Sequence, residues 1–212
     1  MNSPADMRKD YQLQSFSEES VDPDPIQQFT KWWDQAVDAS INEVNAMVLA
    51  TVTGEGMPAA RVVLLKAFDE SGFVFFSNYN SNKGVQLQIN AGACLVFFWK
   101  ELERQVRITG TVSRTSTEES DTYFNSRPEG SRIGAWASPQ SQVIKDRQWL
   151  EENEKQFRLK FDQEKLSRPA HWGGYRVKHH VIEFWQGRPN RLHDRIQYSL
   201  LNNQWIIERL AP

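Results

Sequence analysis

Apolar residues recur along the chain with two different periods, and the change of period divides it. Residues 1–21 carry little apolar content and no periodicity, which predicts a mobile N-terminal arm. Phe29, Trp32, Trp33, Ala36 and Val37 then fall at helical spacing behind Asp24 and Pro25, an N-cap and a first-turn proline. The pattern predicts an amphipathic helix ending near Ser40. Beyond it, the segments 46–52, 58–68, 73–77, 93–99 and 104–113 are rich in Val, Leu, Ile and Phe. Turn signals at Gly54-Glu55-Gly56, Asp69-Glu70-Ser71-Gly72 and Lys100-Glu101 separate several of them. Five strands with mostly short connections predict an antiparallel meander closing into a barrel.

Helical spacing returns in three places. One insert is 80–90, and a second opens on Ser116-Thr117-Glu118-Glu119, a capping-box pattern, and runs to about Ser126. The third, 142–164, is a charged helix with Ile144, Trp149, Leu150, Phe157 and Phe161 as its apolar stripe. Strand-like segments at 174–185, 196–201 and 204–209 follow and complete the same barrel. The expected fold is therefore mainly β with flanking helices, an α+β arrangement, in one domain over 22–212.

Composition narrows the function classes. With 39% hydrophobic and 25% charged residues, the chain reads as a soluble globular protein large enough for a core of its own. A formal net charge of −2 removes the broad basic surface that nucleic-acid binding uses. No apolar stretch long enough for a signal peptide or membrane span is visible, and the single cysteine, Cys94, suits a reducing compartment, so the expectation is a cytoplasmic protein. Cys94 itself reads as a buried strand residue, His179-His180 as solvated within a charged run, and His171 as structural. Metal-ligand spacing, a Gly-rich phosphate loop and a nucleophile elbow are all absent.

Three stretches concentrate cations, hydroxyls and amides. In Arg61-Val62-Val63-Leu64-Leu65-Lys66, strand alternation puts Arg61, Val63 and Leu65 on one face and Val62, Leu64 and Lys66 on the other. Two cations bracketing an apolar strand suit a polar ring edge and a phosphate, or are strand-end charges in solvent. Tyr123 and Arg127, four apart on a helix, share a face, and Ser131 follows. That set suits a phosphate monoester, or is an ordinary helix C-terminus. In 188–195, alternation puts Arg191, His193 and Arg195 on one strand face, with Leu192 and Asp194 on the other. Such a one-sided cationic row calls for an anion or an electron-rich ring, unless the segment is an exposed turn.

Taken together, these stretches resemble the pyridoxine/pyridoxamine 5′-phosphate oxidase family from Arg8-Lys9-Asp10-Tyr11 to Arg209-Leu210-Ala211-Pro212. The most specific segments are 61–66, Leu-Glu-Arg-Gln-Val at 102–106, Tyr-Phe-x-Ser-Arg-Pro at 123–128, Ile-Gly-Ala-Trp-Ala-Ser at 133–138, Trp-Gly-Gly at 172–174, and 182–195. The resemblance implies a split β-barrel homodimer with FMN at the subunit interface. Flavin contacts are expected at Arg61, Val62, Val63, Leu64, Leu65, Lys66, Phe76, Ser77, Lys83, Gln105, Gln140, Ser141, Trp185 and Arg195. Asn82 stands where the family commonly has an arginine toward the flavin phosphate.

The resemblance also places Lys66, Tyr123, Arg127 and Ser131 around the substrate phosphate. Arg191, Leu192 and His193 fall near the pyridine ring, with Arg191 and His193 as the catalytic pair, and the segment Arg8, Lys9, Asp10, Tyr11 as part of a lid. The implied reaction oxidises pyridoxine 5′-phosphate or pyridoxamine 5′-phosphate to pyridoxal 5′-phosphate by hydride transfer to the flavin, with O₂ reduced to hydrogen peroxide. The alternatives are a split-barrel flavin reductase with another substrate, or a non-catalytic carrier of FMN or pyridoxal phosphate.

Overall fold

The computed structural model describes residues 10–212. Nine strands form one antiparallel sheet in the order β2-β1-β5-β6-β7-β4-β3, with β8 and β9 continuing from β7. The strands are β1 (Ala46–Val52), β2 (Pro58–Leu64), β3 (Ala67–Asp69), β4 (Gly72–Asn78), β5 (Gly92–Trp99), β6 (Arg104–Arg114), β7 (Trp172–Gln186), β8 (Asp194–Leu201) and β9 (Gln204–Arg209). The two ends of the order, β2 and β3, are consecutive in the chain and separated only by Leu65 and Lys66. The sheet therefore closes on itself as a barrel.

The continuous strand expected over 58–68 is broken at this junction. Leu65 N–H donates to Asn45 O at 2.8 Å and Lys66 N–H to Val74 O at 2.8 Å, so the chain leaves the β1 side and crosses to the β4 side there. The long β7 pairs with β6 along most of its length, with β4 through 172–177 and with β8 through 181–186. It thereby carries the second half of the sheet.

The helices are α1 (Pro25–Asp38), α2 (Asn82–Ile89), α3 (Thr117–Ser126), α4 (Glu129–Ala137) and α5 (Arg147–Phe161). Asp24 caps α1 by accepting from the amides of Ile26 and Gln27, with Pro25 in the first turn, as the sequence predicted. α1 lays Phe29 and Trp32 into the barrel mouth against Phe97, Trp99 and Phe184. Full burial of each such ring is worth about 1.5–3 kcal/mol, so this aromatic cluster anchors the barrel.

Four expectations are corrected. Residues 10–21 lie against the barrel rather than apart from it: Phe16 joins the core, and Glu103 accepts the amides of Gln12 and Leu13. The charged helix is shorter than 142–164, starting at Arg147 because Asp146 caps it and accepts from Trp149 N–H. His179 is buried, not solvated, because the register shift at Gly110 sets it between Trp205 and Phe73. Cys94 is only half-buried, on the outer face of β5, where burial pushes its thiol pKa up.

Candidate active site

A cleft of about 670 Å³ opens where β2, β4, α3 and α4 meet. Strand alternation on β2 turns Val62 and Leu64 outward to line the cleft, joined by Val63 and Lys66, while Leu65 just beyond the strand is buried in the core. Phe76 and Ser77 come from β4, Lys83 from α2, Tyr123 and Arg127 from the end of α3, and Ser131 from α4. Among the described residues the lining holds three cations, Lys66, Lys83 and Arg127, and no carboxylate. In a chain of net charge −2, that local excess marks an anion site.

Hydrogen bonding sharpens this reading. Lys83 is 9% exposed, yet among the described residues it donates only to neutral oxygens, Ser81 Oγ at 3.1 Å and Gln140 Oε1 at 3.2 Å. Burial and then the nearby Arg61 guanidinium push its pKa down. Arg61 stands behind it, donating to Thr51 Oγ1 at 2.5 Å, Gln86 Oε1 at 3.1 Å and Leu49 O at 3.2 Å. Arg127 lies over the Trp172 ring, 4.6 Å from its centroid, and its buried Nη1 has no acceptor among the described residues. Desolvation is the main cause lowering its pKa. Two cations without carboxylates and an orphaned guanidinium N–H are what a phosphate-bearing ligand would satisfy, so these residues fit the phosphates of FMN and of a phosphorylated substrate.

Aromatic rings make the wall. Phe76 and Tyr123 stack with centroids 3.9 Å apart, and Trp172 stacks on Phe76 at 5.6 Å. Lys66 Nζ is 5.9 Å from the Tyr123 centroid. The pattern reading missed several lining residues: Asn78, Pro128, Gly134, Ala135, Ser138 and Trp172. Most lie on or beside α4, which the periodicity did not reveal because its nine residues contain two glycines and bury only Ile133 and Ala137. The segments Ile-Gly-Ala-Trp-Ala-Ser and Trp-Gly-Gly did carry that signal.

The remaining candidates do not enter this cleft. Asn82 is exposed at the start of α2, and Ser141, with φ of 70°, is exposed beside Gln140, which does line the cleft. Gln105, Trp185 and Arg195 form one cross-strand row on the outer face of β6, β7 and β8. His193 packs on Trp185 with centroids 4.6 Å apart, and Tyr11 meets both rings. Asp10 is exposed next to Tyr11, and Arg8 and Lys9 lie outside the described residues.

The strand face proposed for Arg191, His193 and Arg195 does not form. β8 begins at Asp194, and Pro189–Arg191 make a 3₁₀ turn in which Asn190 and Arg191 take left-handed φ values of 56° and 61°. A left-handed φ at Arg191 turns the chain out of the extended conformation, so strand alternation cannot include that residue. Arg191 and Leu192 are exposed on this turn. His193 Nδ1 accepts from Arg188 N–H at 3.1 Å, so the neutral ring carries its proton on Nε2. Burial, with the Arg191 charge as a lesser cause, lowers its pKa. Site residues thus fall into two groups: a cation-lined cleft, and an outer-face group around Trp185.

Fold and cleft define a split β-barrel with a cation-lined groove. Residues 33–161 match the family model described as pyridoxamine 5′-phosphate oxidase, and residues 172–212 match that of the pyridoxine 5′-phosphate oxidase C-terminal dimerisation region. The pyridoxine/pyridoxamine 5′-phosphate oxidase of Cyanothece sp. is 57% identical over 210 residues, covering 99% of each chain. That of Paraburkholderia phymatum is 55% identical over the full length of both. This chain belongs to the pyridoxamine 5′-phosphate oxidase family.

Among solved structures, PhzG from Burkholderia lata, in complex with tetrahydrophenazine-1-carboxylic acid, superposes with a TM-score of 0.86 at 29% identity. The match covers 92% of this chain and 95% of that one. A pyridoxamine 5′-phosphate oxidase-related FMN binding protein from Nostoc punctiforme shares the fold, with a TM-score of 0.71 at 17% identity, over 91% and 100% of the two chains. No helix among the described residues is long and apolar enough to cross a membrane.

Proposed function

We propose that this protein is an FMN-dependent oxidase converting pyridoxine 5′-phosphate and pyridoxamine 5′-phosphate to pyridoxal 5′-phosphate, with O₂ reduced to hydrogen peroxide. The observation that carries this reading is the cleft lined by Lys66, Lys83 and Arg127 without a carboxylate. When bound, FMN supplies the two-electron acceptor that side chains lack. Lys83, supported by Arg61, holds the flavin phosphate, and the orphaned Arg127 guanidinium, with Tyr123 and Ser131, holds the substrate phosphate. The substrate gives up a hydride and a proton. The amine substrate becomes an imine that water hydrolyses to aldehyde and ammonia.

The outer-face group completes the site from a second protomer, which accounts for its separation from the cleft within one chain. Arg191 and His193 then reach the ring end of the substrate. Arg191 orients and polarises the reacting carbon. His193 is held neutral, with Nδ1 occupied by the Arg188 amide, so it binds the substrate by donating from Nε2 rather than taking up a proton. Tyr11, packed over Trp185 and His193, excludes water. One experiment tests the whole reading: chromatography of the extracted cofactor, then peroxide measured on adding pyridoxine 5′-phosphate under air. FMN and stoichiometric peroxide are expected; a protein that takes up no FMN, or binds it without making peroxide, refutes the oxidase.

A further inference from the structure

Glu183 is 3% exposed although it stands on the outer face of β7, in register with Arg107 on β6 and Gln197 on β8. It is covered by its own partners. Arg107 Nη2 donates to one carboxylate oxygen, and Arg195 Nε donates to the other at 2.8 Å. The Arg195 Nη1 donates in turn to Ala211 O at 2.7 Å. Two edges of the Arg195 fork are therefore fixed, one by a buried carboxylate and one by the C-terminal segment. Nη2 alone has no hydrogen-bond partner among the described residues.

A free arginine on a strand samples many rotamers, and ordering it costs side-chain entropy. Here that cost is met on folding, before any ligand arrives. A carboxylate this buried is itself costly, and two guanidinium partners offset the desolvation. One of them, Arg107, already pairs the carboxylate and ties β7 to β6. The second partnership ties β7 to β8 and also sets the plane of the residue next in line with Trp185, since Trp185 and Arg195 are direct cross-strand partners.

We infer that Glu183 is a positioning residue, fixing the plane of the Arg195 guanidinium so that Nη2 is presented to the flavin, an inference that rests on Arg195 being a flavin contact. Loss of Glu183 leaves Arg195 charged and in place on its strand but free to rotate. The effect is then on affinity for the cofactor, and it requires Arg195.

The test is a cycle of Glu183→Gln, Arg195→Lys and the double variant in the full-length, flavin-stripped protein. FMN dissociation constants are read from flavin fluorescence, alongside the thermal midpoint without flavin and the sedimentation coefficient. Glu183→Gln should weaken FMN binding about tenfold, Arg195→Lys at least as much, and the double variant no more than Arg195→Lys alone. Ending the chain at Leu210 removes the Ala211 restraint without touching Glu183, and should weaken FMN several-fold on its own. Three results would overturn the inference: unchanged FMN affinity in Glu183→Gln while Arg195→Lys is weakened, additive losses in the double variant, or a Glu183→Gln protein that fails to dimerise. If Glu183→Gln does not fold, the Leu210-terminated chain decides, and normal FMN affinity there overturns the inference. Unchanged affinity in Arg195→Lys is a different failure, since it removes Arg195 from the flavin site altogether.

Discussion

At the scale of single residues, the side chains that matter are those whose surroundings contradict their chemistry. Arg127 is a guanidinium with a buried N–H that has no partner among the described residues, a cost that an arriving anion would relieve. A charge-assisted hydrogen bond is worth about 1.5–3 kcal/mol, so Arg127→Ala should raise the KM for pyridoxine 5′-phosphate by about 10–100-fold. Because a phosphate contact is the same in ground and transition states, kcat should change far less. Steady-state kinetics showing an unchanged KM would reduce Arg127 to a helix-end charge.

His179 is the opposite case, a titratable ring that the fold keeps neutral. Burial is the chief cause pulling its pKa below the ordinary 6.5, with Asp24 and Asp69 opposing and His180 and Lys178 assisting. The unfolded chain then binds more protons than the folded one below pH 6.5, so stability should be full above that value and fall as pH drops toward the folded pKa. His179→Phe should flatten that part of the stability–pH curve in denaturant titrations. A slope the same as wild type would assign it to another group, such as His193, which is shifted the same way. The sequence could not separate the two histidines of the pair, because what buries His179 is a one-residue register shift rather than its neighbours in the chain.

Elements were more legible than residues wherever packing repeats regularly. The α1 pattern and its Asp24 cap, the β5–β6 hairpin and the β2 alternation all read directly, since each follows a local periodicity. The 3₁₀ turn at 189–191 did not, because a period of two over eight residues looks the same whether or not the middle is extended. Only Pro189 warned against a strand. At α2 the sequence raised a question of its own: Asn82 is the exposed first residue of the helix, one position from the buried Lys83. A cation introduced there sits against the helix dipole at a cost of a few tenths of a kcal/mol, while a new contact to the flavin phosphate in an exposed setting gains about 1 kcal/mol. Asn82→Arg should therefore tighten FMN binding by a few-fold in fluorescence titrations. An equal or weaker affinity would take Asn82 out of the flavin site.

At the scale of the whole molecule, the outer sheet face carries the last argument. Val62, Val48 and Val96 form one cross-strand row continuing into Arg107 and Glu183, and Phe98 heads the adjacent row through Gln105, Trp185 and Arg195. Val62 is 65% exposed and Phe98 55% exposed in the single chain. Exposed apolar side chains aligned across several strands mark a surface that is covered in the working protein. A dimer on this face would bring the Trp185 group of one protomer toward the cleft of the other and join the two halves of the site. Val48 tests this cleanly, because it faces outward, lies between Val62 and Val96 in its row and does not line the cleft. In an isolated protomer Val48→Glu places a charge toward solvent and should leave the circular dichroism spectrum unchanged. In a dimer it buries an unpaired charge twice, a cost of several kcal/mol. Sedimentation should therefore show a folded monomer, and FMN affinity should fall at least tenfold although no cleft residue has changed. A Val48→Glu protein that stays dimeric and yellow at micromolar concentration would move the subunit interface, and with it the second half of the active site, to another face.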